Sequence, residues 1–193
     1  MGIEFELKYA ASVQTQAAVL QAYPGAWQTI RMETTYYDTP KGDLSQKWYT
    51  LRRRMENETS VCTIKTPADG LGRGEWEVLC DNIQQAIPEL CKLGWPADLR
   101  DLTANGVLPV CGARFTRQAM TLPFRDSVLE IALDSGILFG GTRERPLCEI
   151  EVELKEGSRE DAVLFGTVLA QNYGLQTQSG SKFRRALALK EEG

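Results

Sequence analysis

The chain contains 193 residues, of which 42% are hydrophobic and 25% are charged, and its formal net charge is −4. This size and balance are typical of one soluble globular domain, and the charge gives no reason to expect nucleic acid or a membrane as a partner. Histidine is absent and the five cysteines form no CxxC pair. Histidine-based catalysis is therefore excluded, and a zinc site or a disulfide framework is disfavoured. The corresponding expectations are a cytoplasmic location and, for any metal, a hard cation held by carboxylates.

Strand-like and helix-like segments alternate along the chain. Alternating or β-branched residues predict strands over 3–9, 29–40, 47–55, 60–66, 73–80, 113–122, 126–136 and 147–157. Helical spacing and capping residues predict helices over 12–23, 81–94, 98–103 and 158–174. Pro88 lies inside the second of these helices and is expected to kink or interrupt it. The tail over 181–191 fits a strand or a helix.

Several predicted strands have one apolar face and one charged face. In the first strand Glu4, Glu6 and Lys8 alternate with apolar residues, and alternate side chains of a strand point to opposite faces. Later strands repeat the pattern with Thr50, Arg52, Arg54, Thr63, Lys65, Glu75, Glu77, Glu130, Asp134, Glu149, Glu151, Glu153 and Lys155. Any one such face is typical of a strand with a solvated side. Together they are unusual, because some strands carry almost only carboxylates and others carry cations.

The amphipathic helices indicate the side on which the charged faces lie. These helices need apolar partners, which the hydrophobic faces of the strands supply if those faces point outward. The charged faces then point into a closed barrel or tunnel. Carboxylates on one wall suit a divalent metal, and arginine and lysine on another wall suit a polyanion. A phosphate chain with Mg²⁺ or Mn²⁺ would satisfy both walls.

A series of short motifs runs in order along essentially the whole chain. It begins with Glu4-x-Glu6-x-Lys8, which alone is weak evidence for any family. The later motifs are Tyr37-Asp38-Thr39, Leu51-Arg52-Arg53-Arg54, Thr63-Ile64-Lys65, Arg73-Gly74-Glu75-Trp76-Glu77, Phe115-Thr116-Arg117, Leu133-Asp134, Glu149-Ile150-Glu151-Val152-Glu153 and Ser181-Lys182. The ordered series resembles the CYTH family, also called triphosphate tunnel metalloenzymes.

The resemblance implies an α+β fold, namely an eight-stranded antiparallel β-barrel (a tunnel) with a charged interior and helices packed on the outside. It also implies hydrolysis of a triphosphate with Mg²⁺ or Mn²⁺ as cofactor, at two ions per site. By matching positions, the metal ligands would be Glu4, Glu6, Asp134, Glu151 and Glu153. The phosphate contacts would come from Lys8, Arg52, Arg54, Lys65, Arg117, Lys182 and Arg185. Four further carboxylates are expected to line the tunnel, either with a role in the site or as partners of nearby cations: Glu75, Glu77, Glu130 and Glu149.

One position departs from the family pattern. The family often has a lysine two residues before the arginine matched by Arg117, and here that position is Phe115. One phosphate contact is therefore expected to be missing or to come from Arg114. Arg53 and Arg184 have the opposite phase to their charged neighbours and are expected to be surface or structural residues.

The stretches 115–117 and 148–151 look most like bacterial inorganic triphosphatases, which implies cleavage of inorganic triphosphate to pyrophosphate and phosphate. Such proteins often carry a second, helical, histidine-containing domain called CHAD. This chain is expected to be a single CYTH domain over 1–193 without it.

The alternatives to an inorganic triphosphatase are a class IV adenylyl cyclase, a thiamine or nucleoside triphosphatase, and a polyphosphate-binding module without turnover. The expected partner is a small-molecule triphosphate, with no nucleic acid or membrane, for a monomer or homodimer.

Overall fold

A computed structural model describes the backbone of residues 2–67, 73–94 and 96–191, and the side chains of the same ranges except 2–4, 73 and 191. These residues form ten strands and six helices. The strands are β1 (Gly2–Glu4), β2 (Glu6–Ala10), β3 (Gln28–Asp38), β4 (Thr50–Glu56), β5 (Thr59–Pro67), β6 (Arg73–Leu79), β7 (Leu108–Phe124), β8 (Ser127–Gly140), β9 (Arg143–Glu156) and β10 (Gln176–Thr177). The helices are α1 (Val13–Ala22), α2 (Asp43–Gln46), α3 (Ile83–Lys92), α4 (Leu99–Leu102), α5 (Arg159–Tyr173) and α6 (Lys182–Glu191).

The N-terminal segment closes the sheet into a barrel. The strand order is β1-β6-β5-β4-β3-β7-β8-β9-β2-β10, and every pair is antiparallel. Only Phe5 separates β1, which pairs with β6, from β2, which pairs with β9. The chain through Phe5 therefore joins the two edges of the sheet. With β1 and β2 counted as one strand, the result is the predicted eight-stranded antiparallel barrel, to which β10 adds a short pairing on β2.

Helices cover the outward-facing apolar side of the barrel in two places. Against β2, β8 and β9, helices α1 and α5 pack side chains that include Val19, Phe165 and Leu169. Against β4, β5 and β6, helices α3 and α4 pack side chains that include Leu90 and Leu99. The apolar residues of these strands are thus used on the outside, and their alternating partners must face inward.

Helix α6 packs differently, against the inner face of the barrel. Phe183, Ala186 and Leu189 lie in one cluster with inward-facing residues of β3, β7, β8 and β9, such as Tyr36 and Leu138. The helix comes so close to β8 that a Cβ added to Gly140 would lie 2.3 Å from the carbonyl oxygen of Ala186. The tail is therefore a helix, and it fills one end of the barrel.

The predicted helix ends agree with the capping geometry. Ser12 and Ser158 cap α1 and α5 with their side-chain oxygens, and Gly174 ends α5 in the left-handed conformation. Helix α3 continues through Pro88, so of the expected kink or interruption the interruption is wrong; the helix has a buried face that includes Ile87. Helix α2 was not predicted, because only four residues form it. Within the described ranges, no helix is long and apolar enough to span a membrane.

Candidate active site

The barrel encloses a cavity of about 320 Å³ whose wall is ionic. Among the described residues, seven cationic side chains line it: Lys8, Arg52, Arg54, Lys65, Arg117, Lys155 and Lys182. Seven carboxylates also line it: Glu6, Glu56, Glu75, Glu77, Glu130, Glu151 and Glu153. The described wall therefore carries no net formal charge.

The cavity has a closed end and an open end. At the closed end, Tyr36 of β3 and Phe183 of α6 are buried with their ring centroids 5.1 Å apart, in the cluster that α6 forms with the inner face of the barrel. At the other end, Gln28, Glu77 and Lys155 line the cavity and are exposed. A ligand thus has one mouth by which to enter the described part of the barrel.

Near the mouth, three carboxylates form a row across neighbouring strands. Glu153 on β9 lies directly opposite Glu6 on β2 and Glu130 on β8. Like charges at directly opposed positions repel. The Lys155 ammonium relieves part of this repulsion, at 2.9 Å from Glu153 and 3.7 Å from Glu130, and Lys8 contacts Glu6. Among the described residues this row sets three carboxylates beside two lysines, and its carboxylate oxygens suit a hard divalent cation.

Deeper in the barrel, a second group of carboxylates is already neutralised. Asp134, Glu149 and Glu151 are buried, with ligand oxygens within 4.8 Å of one another. Lys182 contacts all three, at 2.7 Å from Asp134 and 2.8 Å from Glu151. Arg117 binds Asp134 through two nitrogens at 2.8 and 2.7 Å and also contacts Glu151, and Arg185 contacts Glu149. The spacing alone would suit a metal, but the oxygens are used by three cations, so we interpret this group as an ion-pair network.

The pKa shifts in this network follow from burial and close pairing. Burial by itself raises the pKa of Glu151, but Lys182 and Arg117 outweigh it and hold that pKa well below its usual range. Burial lowers the pKa of Lys182, and the three carboxylates outweigh it in the opposite direction. The pKa of Arg117 is likewise lowered by burial and raised more strongly by Glu151 and Asp134. Glu151, Lys182 and Arg117 are therefore charged throughout the ordinary pH range.

On the opposite wall, several cations lie close to one another. Arg52 and Lys65 share one carboxylate, with nitrogens 3.3 and 3.2 Å from the same oxygen of Glu75. Arg54 contacts Glu56, yet the pKa of Arg54 is lowered, first by burial and then by repulsion from Arg52. A lowered arginine pKa means that the buried positive charge is unfavourable as it stands. An anion next to this wall would relieve it.

The contacts of the off-phase arginines, of Arg114 and of Phe115 show which of these residues face the cavity. Arg53 points away from the cavity and donates to the carbonyl oxygen of Asp81, and Arg184 stacks on Trp48 with 3.9 Å between its guanidinium carbon and the ring centroid. Arg114 is exposed, contacts Glu144 and does not line the cavity, so it does not replace the expected lysine. Phe115 does line the cavity, and the Lys182 ammonium lies 5.2 Å from the centre of its ring.

The structure brings most of the predicted site residues to one cavity. Asp134, Glu149 and Arg185 do not line it but belong to the adjoining ion-pair network, and the side chain of Glu4 lies outside the described residues. Among the four carboxylates left with two interpretations, Glu75, Glu130 and Glu149 pair with cations. The fourth accepts a hydrogen bond from Thr63 at 2.9 Å.

Two charged lining residues were not predicted as part of the site. They are Glu56 and Lys155, and the other unpredicted residues of the described lining are uncharged. Both continue the strand alternation of their charged neighbours by one more step, and this signal was sufficient to find them.

Residues 2–187 match the CYTH domain family. This chain belongs to the CYTH family. Its similarity to solved structures is one of fold. It superposes on a Hippeastrum protein, a candidate adenylyl cyclase described as having a dominant triphosphatase activity, with a TM-score of 0.68, 21% identity and coverage of 97% and 96% of the two chains. The PH1819 protein of Pyrococcus horikoshii gives a TM-score of 0.64 at 21% identity, covering 97% and 99%.

A relative of known activity is more similar in sequence to this CYTH domain than those two solved structures are. The inorganic triphosphatase of Haemophilus influenzae is 30% identical over 195 residues. The match covers 96% of this chain and 54% of the relative, so the chain spans about half the length of that protein.

Proposed function

We propose that this CYTH domain hydrolyses inorganic triphosphate to pyrophosphate and phosphate inside the barrel, with Mg²⁺ or Mn²⁺ as cofactor. The observation that carries the proposal is the equal number of cations and carboxylates on the described cavity wall. A polyanion alone would add uncompensated negative charge to a partly buried space, and a metal alone would add positive charge. A polyanion and divalent cations that enter together preserve the balance.

The row near the mouth is the best candidate for the metal ligands. Glu6 and Glu153 face each other across two paired strands, Glu130 is next to them, and all three line the cavity. Their donors are carboxylate oxygens, which suit Mg²⁺ and Mn²⁺. Glu4 remains a proposed ligand, whereas Asp134 and Glu151 are better explained as partners of Arg117 and Lys182. When bound, the metal would offset phosphate charge and activate water.

Cations from separate strands would surround the phosphate chain. Arg52 and Arg54 lie on β4 and Lys65 on β5, whereas Arg117 lies on β7 and Lys182 on α6. Each charge-assisted hydrogen bond to a phosphate oxygen contributes about 1.5–3 kcal/mol. Loss of one phosphoryl group removes several such contacts at once, so pyrophosphate should be a poor substrate. The same cations would stabilise the charge that develops on the leaving pyrophosphate.

The proton of the attacking water needs an acceptor on this wall. The chain has no histidine, so a lining carboxylate, or a water that it holds, takes this role. Carboxylates that already bind two cations are poor bases, as the lowered pKa of Glu151 illustrates. The acceptor is therefore expected among the carboxylates nearer the mouth.

The lining also favours an inorganic substrate over a nucleotide. Its aromatic residues among those described are Tyr36, Phe115 and Phe183, and all three are buried. A base held at the mouth would be stabilised by stacking on an exposed aromatic ring, and the described lining offers none there. We therefore expect ATP and thiamine triphosphate to be slower substrates than inorganic triphosphate.

A product screen tests the proposal. The chain is incubated with inorganic triphosphate, ATP, thiamine triphosphate and pyrophosphate, each with Mg²⁺ or Mn²⁺, and phosphate, pyrophosphate and cyclic AMP are measured. Release of phosphate and pyrophosphate in equal amounts from inorganic triphosphate, at the highest kcat/KM, supports it. Cyclic AMP from ATP would favour a cyclase instead. Tight binding of polyphosphate without release of phosphate would favour a binding module.

A further inference from the structure

A buried glutamine on the outer helix α1 reaches the barrel wall directly behind the ion-pair network. The side-chain nitrogen of Gln16 donates to the backbone carbonyl oxygens of Asp134 and Glu149, at 3.0 Å each. Its oxygen accepts a hydrogen bond from the hydroxyl of Ser135. Gln16 is only 7% exposed. One amide thus joins β8 and β9 at a single point.

The two carbonyls belong to the residues with the two most deeply buried carboxylates of the network. Asp134 and Glu149 are direct partners in the β8–β9 ladder, and the side chains of both are completely buried. On the cavity side, Asp134 holds Arg117, and both carboxylates hold Lys182. Gln16 therefore contacts the backbone on one face of the sheet, while the side chains of the same residues hold two phosphate-binding candidates on the other.

We propose that Gln16 is a positioning residue. It fixes the backbone positions of Asp134 and Glu149, and through their side chains it fixes the positions of Arg117 and Lys182. This role rests on the proposed function, since it matters only if those cations bind phosphate. Gln16 does not touch the cavity itself. Its effect must pass through the two backbone carbonyls, which lose their side-chain donor when the amide is removed.

Two substitutions at this position and one nearby separate the positioning role from simple loosening of α1. Gln16→Glu keeps the size and the acceptor for Ser135 but has no N–H for the two carbonyls. Gln16→Leu removes both functions. Val19→Ala is the matched control, because Val19 is completely buried on the same helix but packs in the apolar cluster against β2, β8 and β9.

The first measurement is the affinity for a nonhydrolysable triphosphate analogue, imidotriphosphate, with Mg²⁺ by calorimetry. Both Gln16 variants should bind about tenfold more weakly, which corresponds to the loss of one charge-assisted hydrogen bond, and Val19→Ala should bind as the wild type does.

The second measurement is steady-state kinetics on inorganic triphosphate. A smaller folded fraction lowers apparent kcat and leaves KM unchanged, whereas displaced cations raise KM. We expect KM to rise about tenfold in Gln16→Glu, in line with the affinity.

Unchanged affinity and KM in Gln16→Glu would overturn the positioning role while the proposed function stands. An equal loss in Val19→Ala would also overturn it, because general loosening of α1 would then explain the effect. A wild-type chain that binds no triphosphate analogue would overturn both proposals. If Gln16→Leu does not fold, Gln16→Glu, with its matched size, decides the result alone.

Discussion

Replacing Arg52 or Arg53 by alanine tests which side of β4 faces the substrate. The two residues are adjacent, so their side chains point to opposite faces of the strand. Arg52 lines the cavity and its side chain is 12% exposed. Arg53 donates to the carbonyl oxygen of Asp81 at 3.0 Å and does not line the cavity. The pair differs in position and not in residue type, which makes each the control of the other.

The magnitude follows from what each arginine contacts. Loss of one charge-assisted hydrogen bond costs about 1.5–3 kcal/mol, which lowers kcat/KM for triphosphate about 10- to 150-fold. Arg52→Ala leaves Glu75 paired with Lys65 at 3.2 Å and removes the charge that repels Arg54. The fold should therefore tolerate it, and the thermal midpoint should fall by less than about 4 °C. Arg53→Ala should change kcat/KM by less than about twofold, since it loses only a neutral acceptor.

Phosphate release from inorganic triphosphate is measured over a range of concentrations for the wild type and both variants, with thermal melts on the same samples. A large loss in Arg52→Ala with a near-normal Arg53→Ala supports the proposed phosphate wall. Equal losses in the two variants would mean that β4 does not present Arg52 and Arg54 to the substrate. A loss that follows the thermal midpoint would mean that stability, and not binding, is affected.

Three further predictions concern the metal and the cysteines. Activity should vanish in EDTA and return with Mg²⁺ or Mn²⁺, because the described cavity wall offers carboxylate oxygens as metal ligands. Full turnover in EDTA would refute the metal requirement. Glu6→Gln should lower kcat by about a hundredfold or more with the fold retained, because it removes charge from the row near the mouth, and the exposed Glu33→Gln is its control. Burial raises the pKa of Cys62 and of Cys111 to about 12. Iodoacetamide at pH 8 should therefore modify these two thiols more slowly than Cys91, which is partly exposed, as mass spectrometry of a time course would report.

The strand alternation was sufficient to predict which residues face the cavity. Arg52 and Arg54 line it and Arg53 does not, because the two-residue period of a strand persists through a barrel wall. Glu6 and Lys8 line it for the same reason. The direction in which a side chain points is thus set by the local strand period, and a local pattern can be read from the sequence.

Long-range pairing could not be read in the same way. Lys182 contacts Asp134, which lies 48 positions earlier in the chain, and this contact depends on α6 entering the barrel. The tail sequence fits a strand or a helix, and neither possibility places it inside. Gln16 gives even less signal, because a single glutamine on an amphipathic helix is usually exposed. Only the register of β8 with β9 brings two carbonyls within its reach.

The order of exposure along β9 explains why the two carboxylate groups should behave differently. From Glu149 through Glu151 and Glu153 to Lys155, the exposed fraction of the side chain rises from 0% to 7%, 25% and 38%. Deep carboxylates cannot keep their charge without permanent partners, so protein cations occupy their oxygens. Carboxylates near the mouth are partly hydrated and can exchange a lysine for a metal at lower cost.

A purely cationic cavity would attract any phosphate compound, with or without metal. The carboxylates of this wall oppose a bare polyanion and favour one that brings divalent cations. Imidotriphosphate should therefore bind much more weakly in EDTA than with Mg²⁺. Equal affinity in the two conditions would mean that the carboxylates only neutralise their neighbouring arginines and lysines.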